Sequence, residues 1–169
     1  NAGTTSDGST DNIFIGKLAG GGTWANAESG YNVGIGNLSM DAAMDGALYN
    51  TAVGYAALSA LTTGDANVAI GRQALNALTT GGYNVMVGTD AGAVLTTGDY
   101  NVMVGTDAGN AATTASGSVF IGADAGGAST TGNRNIGIGY SALNTGVITG
   151  DNNIEIGANA GDALTSGAD

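Results

Sequence analysis

Along this chain short apolar runs recur, and each is cut off by glycine. The recurring core is five residues long: Asn, a β-branched residue, a variable residue, Ile or Val, then Gly. It reads NIFIG at Asn12–Gly16, NVGIG at Asn32–Gly36, NTAVG at Asn50–Gly54 and NVAIG at Asn67–Gly71. NVMVG follows at Asn84–Gly88 and Asn101–Gly105, SVFIG at Ser118–Gly122, NIGIG at Asn135–Gly139 and NIEIG at Asn153–Gly157. The nine first residues are spaced 20, 18, 17, 17, 17, 17, 17 and 18 apart. Alternation with period two, bounded by Asn, Gly and Thr, predicts one short strand per copy.

Other columns hold the same period. A small residue stands three places after the core glycine, as in Ala57, Ala74, Ala91, Ala108, Ala125, Ala142 and Ala160. Leu or Gly follows it, and a Thr-Thr pair recurs at 62–63, 79–80, 96–97, 113–114 and 130–131. A unit this short excludes the common helical repeats, which exceed about 30 residues. It predicts an all-β chain, a β-solenoid or β-roll of about nine coils with a repeat of about 17 residues. Each coil is expected to hold a short strand, a turn, a second short extended piece and a return loop. Coils stacked at about 4.8 Å would span roughly 43 Å. Residues 1–11 read as a polar lead-in, 12–167 as one repeat domain and 168–169 as a tail. The longer first interval, holding Trp24, Asn26 and Glu28, reads as a loop or cap.

Each column suggests a role. Asn12, Asn32, Asn50, Asn67, Asn84, Asn101, Asn135 and Asn153 are placed to form a side-chain ladder. If the β-branched neighbours fill the coil, the variable middle residue points outward. Phe14, Ala52, Ala69, Met86, Met103 and Phe120 would then form an apolar stripe that joins subunits. Asp90, Asp107 and Asp124 recur in consecutive copies, as do Asp65, Asp99 and Asp151 in a second column. Stacked carboxylates repel, and calcium is the cation such oxygens would accept, so the first three are calcium candidates. The plainer reading is a solvated acidic edge. Adjacent threonines do not give the T-x-T spacing of a flat ice-binding face, and turns explain them better. Tyr83 and Tyr100 precede consecutive core asparagines and are placed to stack.

Composition narrows the chemistry. The chain of 169 residues contains no Cys, His or Pro, and its formal net charge is −11. Without thiols or imidazoles there is no disulfide framework, no thiolate or imidazole metal site, and no Ser-His-Asp triad. With Lys and Arg numbering 3, nucleic acid is not an expected partner. No apolar run approaches the roughly 20 residues of a membrane helix, so insertion is not expected. Acids fall in repeating columns and not in one singular constellation, so no enzyme, no catalytic residue and no cofactor other than calcium is expected. The start at Asn1 reads as a mature form or a segment of something longer.

The stretch NTAVGYAALSALTTGDANVAIGRQALNALTTG at Asn50–Gly81 resembles glycine-rich repeats of phage tail-fibre-like proteins and of trimeric autotransporter adhesin heads. The resemblance implies β-rolls, often wound as parallel homotrimers, exposed outside the cell or on a virion as stiff spacers and attachment surfaces. The expected role is therefore a structural part of an extracellular fibre whose partner is itself, as an end-to-end filament or a homotrimer. A host-surface glycan or protein is the partner implied by the attachment role. An ice- or calcium-binding solenoid is the more remote reading.

Overall fold

The computed structural model describes residues 11–23, 28–145 and 148–161. Nine three-residue strands run along it: β1 (Ile13–Ile15), β2 (Val33–Ile35), β3 (Thr51–Val53), β4 (Val68–Ile70) and β5 (Val85–Val87), then β6 (Val102–Val104), β7 (Val119–Ile121), β8 (Ile136–Ile138) and β9 (Ile154–Ile156). They form one sheet in sequence order, and every neighbouring pair is parallel. Val85 pairs with Val102 and Met86 with Met103, so equivalent residues of successive copies sit side by side. The chain is thus a parallel β-solenoid, one repeat to each coil. The lead-in up to residue 10, Trp24, Asn26 and residues 162–169 lie outside the described residues.

The core glycine is required by the stacking itself. At Gly54 φ is 144°, and an added Cβ would collide with the carbonyl of Gly71 in the next coil. The same collision repeats from coil to coil, as at Gly71 against Gly88 and Gly88 against Gly105. No side chain fits where two backbones approach this closely, which explains why the column never varies.

The second extended piece expected in each coil is not a strand. In its place the chain turns through left-handed residues, such as Gln73 at φ 55° and Leu75 at φ 50°. These corners still bond between coils. The Leu75 N–H donates to Ala91 O at 3.0 Å, and the Thr79 N–H to Thr96 O at 2.9 Å. Backbone polar groups are therefore satisfied along the stack although only one side of the coil is sheet. Non-glycine residues in this region are uncommon elsewhere. Here they recur at fixed columns, where neighbouring coils hold them by these bonds.

The strand faces are the reverse of the expectation. The middle residue of each strand points into the coil and its two neighbours point out. Ala52, Ala69, Met86, Met103 and Phe120 are fully buried, and Phe14 packs against the same core half-buried. These six residues are therefore not an outward interface. The reason is packing across the coil. Where the strand carries a bulky residue, the position six places later is Gly; where it carries Gly or Ala, that position is Leu or Met. Phe120 faces Gly126 and Met86 faces Gly92, whereas Ala69 is matched by Leu75 and Gly34 by Met40. The Leu column at 61, 78 and 95 completes the buried interior.

Candidate interaction surface

With the middle residues turned inward, the first and third residues of every strand make the outer face of the sheet. Of these 18 positions, 17 are Val or Ile and the other is Thr51. Ile70 is 41% exposed, Ile121 39% and Ile35 37%, while the valines between them are half-buried by their neighbours. No ionisable side chain stands at any of the 18 positions. Sequence reasoning missed this surface because in strands such as β5 to β7 both faces are apolar. The size match between strand centre and opposite corner was the signal that could have found it.

The asparagine column is a continuous polar ladder on the inner side. The Asn67 N–H donates to Asn50 Oδ1 at 2.9 Å, and Asn67 Nδ2 donates to the same oxygen at 3.0 Å. Nδ2 also donates to Gly81 O at 2.9 Å. The pattern repeats at Asn84 and Asn101. Asn12 and Asn32 open the ladder, and Asn135 and Asn153 carry it on. Ser118 substitutes in one coil: its N–H donates to Asn101 Oδ1, and its Oγ accepts the Asn135 N–H at 3.2 Å. Buried amides that pair this fully fix one coil against the next at low cost.

A second ladder accounts for one acidic column. Asp65 Oδ1 accepts the Leu48 N–H at 2.8 Å, Asp99 Oδ1 accepts that of Gly82 at 2.7 Å, and Asp151 Oδ1 that of Asn133 at 2.7 Å. Ser116 and Asn133 do the same work in the coils between. These carboxylates are thus acceptors for the preceding coil, a role not expected from sequence. The Asn133 N–H, aided by Arg134, holds the Asp151 carboxyl below its ordinary value. Burial acts the other way on Asp41, raising it.

The other acidic column occupies left-handed corners, with φ 55° at Asp90 and Asp107 and 58° at Asp124. Arg72 pairs with Asp90 of the adjacent coil. Among the described residues no group of three or more His, Cys, Asp or Glu side chains is placed to hold a metal ion. Stacking in a column does not make the three aspartates converge.

Tyr83 and Tyr100 stack with ring centroids 5.0 Å apart and planes 7° from parallel, and Tyr31 and Tyr49 do likewise at 5.1 Å and 8°. All four are more than half exposed. Ala66 occupies this column in the coil between the two pairs. In the first four Thr pairs the first hydroxyl is engaged along the stack, as Thr62 Oγ1 donates to Thr79 O at 2.9 Å. The second threonine, at 63, 80, 97, 114 and 131, is exposed. No helix among the described residues is long and apolar enough to cross a membrane.

No family model, curated protein or solved structure matches this chain.

Proposed function

We propose that this chain is a structural, non-enzymatic component of an extracellular fibre, and that it works by associating with copies of itself. The observation that carries the reading is the continuous, uncharged outer face of the sheet, which no other part of the described chain covers. A monomer rarely leaves so large an apolar surface in water. The two polar ladders support the mechanical side of the role. They tie each coil to the next through side chains as well as backbone, so bending the rod means breaking several bonds at once. The exposed Tyr and Thr columns and the acidic corners suit a surface facing water, at a cell surface or on a virion.

The repeat's resemblance to tail-fibre and adhesin-head sequences supports a second form of the same role: a segment of a trimeric fibre that attaches to a host surface. Three copies can enclose their apolar faces about a common axis as well as two can enclose theirs. The two forms separate by mass. Light scattering across a dilution series, with negative-stain electron microscopy, should show a mass above one copy: a pair of solenoids side by side where only the faces meet, and rods longer than one solenoid if copies also join end to end. A constant trimer mass marks the fibre segment. A constant 16.2 kDa species at every concentration would remove the reading altogether.

A further inference from the structure

We infer that the outer face of the sheet, built from the first and third residues of β1 to β9, is the surface on which a second copy of this chain docks, sheet against sheet. The inference rests on the self-association proposed above and names its interface.

Size is the first argument. Seven isoleucines of the face are 37–68% exposed and alone offer on the order of 700 Å²; the half-buried Val and Ile side chains between them bring the face into the range of a stable interface, about 800 Å² per partner. The largest apolar patch of an ordinary monomer is about 300–600 Å². Docking a second sheet on this face would therefore cover enough area to hold a complex together.

Period is the second. Equivalent side chains repeat along the face at the strand spacing, in unbroken register from β1 to β9. Packed sheets interdigitate their side chains about 10 Å apart. A partner that fits this row over its full length must carry the same spacing for as many strands, and a copy of the same chain does so by construction. Placed about a two-fold axis, each patch meets itself.

Chemistry is the third. The face has no ionisable position, although the chain carries a net charge of −11. A cationic partner would be drawn to the corners bearing Asp90, Asp107 and Asp124 and would gain little here. β-Branched side chains are already stiff at χ1, so little rotamer freedom is lost when the face is covered.

The test is the solution mass of the full chain and of two variants. The first carries Ile70→Lys with Val104→Lys, which sets like charges against each other across the face and lowers the net negative charge of the chain. The second carries Val85→Thr with Val102→Thr, a residue the same column already accepts at Thr51. Native chain at tens of micromolar should exceed the 16.2 kDa of one copy. The threonine pair should weaken association at least tenfold, and the charged pair should leave single copies, both with the native β circular dichroism. If the charged pair loses its β signal, the threonine pair decides. A native chain that assembles while the folded variants assemble equally well would overturn this interface and leave self-association standing. A native chain that stays at one copy would overturn both.

Discussion

Phe120 and Gly126 share one volume inside the seventh coil: a Cβ added at Gly126 would fall within the Phe120 ring. The same exchange holds in other coils. A Cβ at Gly92 would lie 3.0 Å from Met86 Cε, and one at Gly20 would lie 2.7 Å from the Phe14 ring. Coils with a small strand centre reverse it, pairing Ala52 with Leu58, Ala69 with Leu75 and Gly137 with Leu143. Volume is therefore conserved within a coil while its source moves from the strand to the corner.

This exchange makes a direct mutational prediction. Phe120→Ala alone should cost about 3–5 kcal/mol, as large-to-small core changes do. Gly126→Leu alone should also destabilise, by overpacking against the ring. The double variant recreates the Ala69–Leu75 pair, and Leu75 tolerates the same left-handed conformation, with φ 50° against 70° at Gly126. Urea melts of the four proteins should show the double variant regaining at least half the loss of Phe120→Ala. Simple addition of the two losses would refute the shared volume.

The asparagine ladder should be graded by what replaces it. Asn84 accepts two bonds and donates to Gly98 O, so Asn84→Ala strands buried partners and should cost about 2–4 kcal/mol. Asn84→Ser should cost less, because Ser118 already serves in the same column. Equal losses for Ala and Ser would mean that the column fills space and does not bond.

Ser39 lies in the small-residue column, fully buried, and its Oγ has no hydrogen-bond partner. Equivalent positions are alanine in most coils, as at Ala57 and Ala74. Ser39→Ala should therefore raise stability by about 1 kcal/mol, read from the denaturation midpoint. A loss of stability would show that the hydroxyl is needed.

Asp151 gives a pH prediction with a definite sign. Its carboxyl titrates below the ordinary 3.8, chiefly because the anion accepts the Asn133 N–H. A group depressed on folding stabilises above its unfolded value, and that contribution fades as pH falls through the folded one. Asp151→Asn keeps an acceptor, as Asn133 does in the neighbouring coil. The thermal midpoint of the variant should accordingly fall less than that of the native chain when pH is lowered from 5 to below 3.8. Parallel falls would remove Asp151 as a source of acid sensitivity.

The period, the strands, the invariant glycine and the asparagine column were all legible in the sequence, because each depends on one position repeating. The facing of the strand was not. In VMV or VFI every residue is apolar, so hydrophobic alternation cannot choose which side is interior. The answer lay in a relation between two columns, since Gly stands at 92, 109 and 126 only where Met or Phe stands at 86, 103 and 120. Likewise the Asp65 column looked like a solvated edge, because its partners are backbone N–H groups that composition does not reveal. The left-handed corners were hidden for the same reason: Gln73 and Tyr83 adopt φ 55° and 59° under bonds from neighbouring coils, against their local preference.

The most direct measurement exploits the absence of cysteine. Single variants Met86→Cys and Val87→Cys place one thiol on each side of the same strand. Non-reducing gels after mild oxidation of the assembled protein, with thiol labelling of the diluted chain, read both at once. The account predicts that Cys at 86 resists labelling and forms no dimer until the chain is unfolded. It predicts that Cys at 87 labels readily on dilution and becomes protected or cross-linked on assembly. Ready labelling at 86 with protection at 87 in the single chain would contradict it.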